Sequence, residues 1–177
     1  MSGETEAFME LVKQHDRGLR ALAYRLLHDR VAMDDVMQDA YLKAFRAFSG
    51  FRGEAQVRTW LYRIVYNACL DRVRSDARRR EVPLEVLTAA ETGAGIKTGV
   101  VDDPADPVVL RGHLAAALAA LPADQRAAVL LVDAVGFAHE EAAGVLGVRP
   151  GTIASRLHHA RSALRTALTE GRDHETV

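Results

Sequence analysis

Two sets of side chains in this sequence have the types and spacing to meet nucleic acid. Arg63, Asn67, Asp71, Arg74 and Arg78 recur at i, i+4, i+8, i+11 and i+15, which on a helix makes one continuous polar stripe. Arginine and asparagine hydrogen-bond phosphates and base edges, and Trp60, Tyr62 and Tyr66 add aromatic surface on which an unpaired base can stack. A solvated arginine-rich face held by ordinary i,i+4 pairs has the same pattern, so spacing alone leaves both readings open. The second set is Thr152, Ser155, His158, His159 and Ser162, flanked by Arg156, Arg161 and Arg165. These residues alternate with Ile153, Leu157, Ala160 and Leu164, which recur at helical spacing and bury together, leaving the polar set outward. The outward set contains no acid. A third set, Asp34, Asp35, Gln38 and Asp39, opens a helix. Acids in a first turn complement the helix dipole, and here they also share a face that could dock a basic partner.

The elements that must position these residues are all helical. A short helix over about 139–146 stops at Gly147, and a second starts at Pro150, a residue suited to a first helical turn. Two helices joined so tightly form a helix-turn-helix, whose second helix can enter a DNA major groove. A plain αα-hairpin with a solvated basic face would read alike. Upstream, apolar positions from Phe8 to Leu27 predict an amphipathic helix or helix pair over 5–28, and His28-Asp-Arg30 predicts a break. A second helix is expected over 32–48, then a glycine-bearing loop through Arg52 and Arg58, then a long helix from Thr59, as N-cap, to Arg79. Helices over about 108–120 and 123–135, separated at Leu121-Pro122, precede the helix-turn-helix.

Charge divides the chain as the elements do. Its 23 Lys and Arg against 24 Asp and Glu give a net charge of −1. Residues 1–80 hold 15 basic against 11 acidic side chains, and residues 108–177 hold 7 against 7. Residues 81–107 hold 1 against 6, with three glycines and three prolines and no periodic apolar pattern, the composition of a flexible acidic linker. The expected fold is all-α: helical domains at 1–80 and 108–177 tethered by 81–107.

Several function classes are disfavoured. No apolar run is long enough to span a bilayer, and the acidic N-terminus lacks a signal peptide's basic start, so cytoplasmic residence is expected. The lone Cys69 sits in a helical pattern as a small apolar residue, and the scattered histidines give no metal site. Adjacent carboxylates such as Asp34-Asp35, Asp102-Asp103 and Glu140-Glu141 are unaccompanied by a nucleophile, phosphate loop or cofactor motif, so neither an enzyme nor a cofactor is expected. A stand-alone helix-turn-helix regulator would usually need a dimer interface, and no sustained heptad supplies one.

Five segments carry a family resemblance. They are Asp34-Asp-Val-Met-Gln-Asp-Ala-Tyr-Leu-Lys-Ala-Phe45, Phe51-Arg-Gly53, Thr59-Trp-Leu-Tyr-Arg-Ile-Val-Tyr-Asn-Ala-Cys-Leu-Asp-Arg-Val-Arg74, Leu121-Pro-Ala-Asp-Gln-Arg126 and Gly147-Val-Arg-Pro-Gly-Thr-Ile-Ala-Ser-Arg-Leu157. In this order and spacing they resemble bacterial extracytoplasmic-function sigma factors, the small two-domain sigma subunits of RNA polymerase. The resemblance implies that Asp34, Asp35, Gln38 and Asp39 bind the clamp coiled coil of the polymerase largest subunit. It implies that Arg52, Arg58, Trp60, Arg63, Asn67, Arg74 and Arg78 capture the unpaired minus-ten strand. Thr152, Ser155, Arg156, His158, His159 and Arg161 would read the duplex minus-thirty-five element. The acidic linker would thread the RNA-exit path, and an anti-sigma factor would hold the protein inactive. Two departures stand out. Ala138 occupies the usual Ser or Thr N-cap of the first helix-turn-helix helix, and Ala154 with His158-His159 replaces more basic residues.

Overall fold

The computed structural model describes residues 3–49, 54–79 and 107–173, and every element among them is helical. Helix α1 (Gly3–Leu27) buries Phe8, Leu19, Leu22, Ala23 and Leu26 along one stripe. It is one helix rather than two, since the chain from Thr5 to Leu27 contains no proline and its single glycine, Gly18, lies where a second helix approaches closely. A Cβ at Gly18 would collide with the Tyr62 hydroxyl of that neighbour. The helix closes through His28 in the left-handed region (φ 54°), whose N–H donates to the Tyr24 carbonyl at 2.7 Å. Helix α2 (Arg30–Phe48) then begins on an Asp29 cap. The Asp29 carboxylate accepts from the N–H groups of Val31 at 2.8 Å and Ala32 at 3.1 Å.

Helix α3 (Glu54–Arg79) starts five residues before the expected Thr59. Glu54-Ala-Gln-Val-Arg58 contains no breaker after Gly53, and its acidic first residue suits the positive end of a helix. Thr59 is therefore a helix-interior residue and not an N-cap, and the part of the expected loop from residue 54 onward is helical. Arg52 and the acidic linker at 81–107 lie outside the described residues, except for Pro107, which opens α4 (Pro107–Ala120).

Leu121-Pro122 breaks the chain before α5 (Ala123–Val129), which continues into a π turn over Leu130–Ala134. That wider turn is closed by Val135 N–H donating to the Leu130 carbonyl at 3.0 Å. Helix α6 (His139–Leu146) ends at Gly147 (φ 67°), and α7 (Pro150–Asp173) follows. These two form the helix-turn-helix. Its turn is held by Val148 N–H donating to the Ala143 carbonyl at 3.1 Å.

The front module (α1–α3) packs around Leu19, Leu22, Met37, Leu61, Val65 and Cys69, and the rear module (α4–α7) around Leu131, Val145, Ile153 and Leu157. Each such buried aliphatic side chain contributes about 1.5–3 kcal/mol. The two cores join. Helix α3 lies against α6 and α1 against α5, so the buried side chains of both modules form one contiguous cluster.

Candidate nucleic-acid interface

The α3 stripe survives folding. Arg63, Asn67, Asp71, Arg74 and Arg78 are all exposed along one edge of the front module, with Arg74 Nη1 3.5 Å from Asp71. Three arginines and an amide therefore remain presented to solvent, whereas the opposite face of the helix supplies Leu61 and Val65 to the core. The aromatic expectation is corrected. Trp60 is half-buried, but Tyr62 and Tyr66 are 2% and 6% exposed and offer no stacking surface. Tyr62 packs edge-on against Phe137 of the rear module, with ring centroids 5.0 Å apart, and burial pushes its hydroxyl above the usual phenol range. Burial raises the Tyr66 hydroxyl too, with Arg156 of α7 close enough to oppose the shift.

Arg58 is similarly committed. Its guanidinium lies 4.1 Å over the Phe137 ring and donates to the Val135 carbonyl at 2.5 Å. An arginine expected to meet a DNA strand here fastens α3 to the segment that leads into α6.

On α2, Asp34, Asp35, Gln38 and Asp39 are all exposed, but two of the carboxylates have partners the sequence did not suggest. Arg20 reaches Asp34 at 2.6 Å and Asp16 at 3.0 Å, and Arg72 of α3 lies 3.6 Å from Asp35 and 2.9 Å from Asp76. The Asp34 hydrogen bond first, and Asp16 after it, raise the Arg20 pKa. Such exposed pairs contribute about 0–1 kcal/mol each, so a partner's basic side chains can exchange with them. Tyr41 donates to Asp16 at 2.7 Å, and burial followed by that hydrogen bond drives its hydroxyl well above the usual phenol range. The α2 face continues beyond its acids. Leu42 and Phe45, at i+4 and i+7 from Gln38, are 49% and 45% exposed. Phe45 packs edge-on against Phe8 at 5.3 Å.

On α7, Ser155, His158, His159 and Arg161 are exposed and Thr152 is half-buried, with Ile153, Leu157 and Ala160 inward as expected. An open groove of about 340 Å³ runs between α7 and the start of α6, lined by His139, His158, Arg161, Ser162 and Arg165. The absence of acids from the outward set of α7 does not make its arginines free. Arg156 Nε lies 3.0 Å from Asp124 of α5, and Arg161 Nη2 lies 2.6 Å from Asp133 in the π turn. Helical periodicity cannot reveal these acids, because they come from other elements. The pairs Asp16–Arg20 and Arg72–Asp76 were visible as i,i+4 spacings, and Leu42 with Phe45 as a continuation of the Gln38 face.

Family models match most of this architecture. Sigma-70 region 2 matches residues 11–79 and sigma-70 region 4 matches residues 111–164. The chain is 38% identical over 169 residues to the ECF RNA polymerase sigma factor SigM of Mycobacterium tuberculosis, covering 95% of this chain and 80% of that protein. It is 33% identical to the RNA polymerase sigma-H factor of Pseudomonas aeruginosa, covering 94% and 88%. With the ECF RNA polymerase sigma-E factor of Escherichia coli K12 the identity is 30%, covering 92% and 86%. Among solved structures, the sigma factor RpoE in complex with the anti-sigma factor NepR from Bartonella quintana superposes with a TM-score of 0.72 at 27% identity, covering 93% and 98%. CnrH in complex with the cytosolic domain of CnrY gives a TM-score of 0.66 at 27% identity, covering 96% and 92%.

Proposed function

The chain belongs to the ECF RNA polymerase sigma factors, the family that directs transcription initiation, and on that footing we propose how its surfaces divide the work. The front module docks on core polymerase through α2 and takes the unpaired minus-ten strand on α3. Asp34, Asp35, Gln38 and Asp39 supply the charged part of the docking face, and Leu42 with Phe45 its apolar continuation. Arg63, Asn67, Arg74 and Arg78 hold the strand, joined by Arg58, Arg52 and Trp60 when the strand is bound. The rear module reads the duplex minus-thirty-five element with Thr152, Ser155, Arg156, His158, His159 and Arg161. The two domains extend over residues 1–80 and 108–177, with 81–107 as tether. The role is one of specificity and not of catalysis.

The observation that carries this reading is the exposed Arg63–Asn67–Arg74–Arg78 stripe, whose helix also holds Arg72 against Asp35 of the α2 docking face. Phosphate-directed arginines beside a polymerase-docking face are what a strand-melting subunit needs. An anti-sigma factor acts on this chain, as one does on the structural neighbour solved with NepR. The compartment is the cytoplasm, where polymerase and promoter are found, and no helix among the described residues is long and apolar enough to cross a membrane.

Run-off transcription with core polymerase over a pool of genomic promoters tests the reading. Transcripts are expected only when this chain is added, and their absence would sink it. Replacing Asp35 and Gln38 together with Ala is expected to abolish core binding while helix content stays unchanged. Undiminished core binding would remove the α2 assignment.

A further inference from the structure

Asp133 and Arg161 are 28 residues apart and meet side-on. Arg161 Nη2 donates to Asp133 Oδ1 at 2.6 Å and Nε donates to Oδ2 at 3.2 Å. A two-point contact of this kind fixes the orientation of the guanidinium and uses one of its edges. The end-on edge, made by Nη1 and the outer Nη2 proton, matches two oxygens of a phosphate. Asp133 is itself fixed, because the π turn that carries it is closed by Val135 and Phe137 N–H groups donating to Leu130 and Leu131 carbonyls, each at 3.0 Å. Arg161 also lines the open groove of about 340 Å³ between α7 and the start of α6, with His139, His158, Ser162 and Arg165. None of the residues lining that groove is acidic. Arg161 stands about three turns into α7, beyond the first turns that meet base edges in a helix-turn-helix. The opposite wall belongs to α6, the helix that crosses the DNA backbone in this motif. The groove therefore sets a restrained arginine and a second cation, Arg165 one turn further on, beside the path of a sugar-phosphate strand.

We propose that this groove seats a backbone phosphate of the duplex flanking the minus-thirty-five bases, and that Asp133 is the positioning residue that presents Arg161 end-on to it. The inference rests on the assignment of α7 to duplex DNA. Arg161 then serves that interface by fixing its register rather than by reading a base. Asp133 acts in opposite directions by charge and by position. As a negative charge near a phosphate it repels the duplex, so its loss by that route strengthens binding. As a buttress it keeps a long side chain in the bound rotamer, so its loss makes binding bear the ordering cost. The second effect is the larger, because both side chains are half-exposed: solvent screens the repulsion and leaves a released arginine free to rotate.

Fluorescence anisotropy of the full chain tests this with two fluorescein-labelled duplexes of about 24 base pairs, one rich in A·T and one in G·C, from about 50 to 200 mM salt. Arg161→Ala is expected to weaken both duplexes alike, about tenfold, and to reduce the slope of log affinity against log salt by about 1. Asp133→Ala should weaken both about three- to tenfold with helix content unchanged, whereas Asp133→Glu, which keeps the carboxylate, should stay within about twofold of wild type. In an Arg161→Ala background, Asp133→Ala should cause no further loss, since no guanidinium is left to hold. Equal or tighter binding by Asp133→Ala, or the same loss with and without Arg161, would overturn the positioning role. A loss at Arg161 confined to one duplex would overturn phosphate contact in favour of base reading. Inorganic phosphate is expected to compete no better than chloride at matched ionic strength; displacement of the duplex by it would mark a free-anion site and overturn the duplex assignment. If wild-type run-off transcription fails while these duplex measurements hold, the sigma-factor reading falls and the phosphate seat stands.

Discussion

Arg126 carries a guanidinium into the core with no carboxylate beside it among its hydrogen-bond partners. Its charge is met by the carbonyls of Ala119 at 2.6 Å, Leu121 at 2.9 Å and Arg25 at 3.3 Å, and burial lowers its pKa from the ordinary arginine value. These carbonyls belong to the ends of α4 and α1, where a helix has no intrahelical donor left. One side chain thus caps two helix ends, one in each module, although its Nε remains buried without a partner. Arg126→Met is expected to lower stability by about 2–4 kcal/mol, because buried carbonyls lose a charged donor. A urea midpoint equal to wild type would show that those carbonyls are satisfied in another way. Cys69 illustrates the opposite case. It is 1% exposed and burial pushes its thiol up to about 12, consistent with the packing role its sequence context suggests.

At the scale of elements, the helix-turn-helix is built from strong and weak signals. Gly147 and Pro150 set its turn, but Ala138 starts α6 without a side-chain acceptor for the first N–H groups. Only the reciprocal half of a capping arrangement is present: the Glu141 carboxylate accepts from Ala138 N–H at 2.8 Å. Ala138→Ser completes it and is expected to add about 1 kcal/mol, read as a higher thermal midpoint of the full chain. No rise in that midpoint would mean the new hydroxyl fails to reach the Glu141 N–H. The π turn before α6 serves a different purpose. It places Asp133 where it grips Arg161, so the fold itself restrains one of the arginines expected to read duplex DNA.

The whole molecule brings two histidines to the seams between modules. His15 lies near Tyr62, with ring centroids 6.3 Å apart, and its pKa is lowered by burial and then by Arg58. His28 has its Nδ1 3.4 Å from Arg126, and its pKa is lowered by burial and then by Arg126. Burial and the neighbouring arginines therefore disfavour the protonated form of both imidazoles in the folded chain, and the unfolded chain binds protons more readily. Their contribution is fully present above the ordinary histidine pKa of 6.5 and is lost as pH falls below it. Urea denaturation at about pH 7.5 and about pH 5 is expected to show lower stability at the acidic value. The double variant His15→Gln, His28→Gln should lose part of that difference. An equal slope in variant and wild type would assign the acid sensitivity to other groups.

How much of this was legible in the chain follows from the range of each interaction. Helix positions, the helix-turn-helix and the outward stripe of α3 depend on neighbours within a few residues, so periodicity and punctuation by Gly and Pro determined them. The early start of α3 was missed because Gly50 and Gly53 made the segment resemble a loop, whereas Glu54-Ala-Gln-Val is helix-forming once the glycines are passed. Contacts across the chain left no such trace. Asp133 and Arg161 are 28 residues apart, and Arg58 and Val135 are 77 apart. Sequence alone made this a helical protein with an outward arginine-bearing stripe and a helix-turn-helix. Only the tertiary structure decided that Tyr62 and Tyr66 are buried, that Arg156 and Arg161 are paired, and that the two modules share one core. The reason is that apolar burial is indifferent to sequence separation: a face patterned for burial specifies that it must be covered, and the fold chooses what covers it.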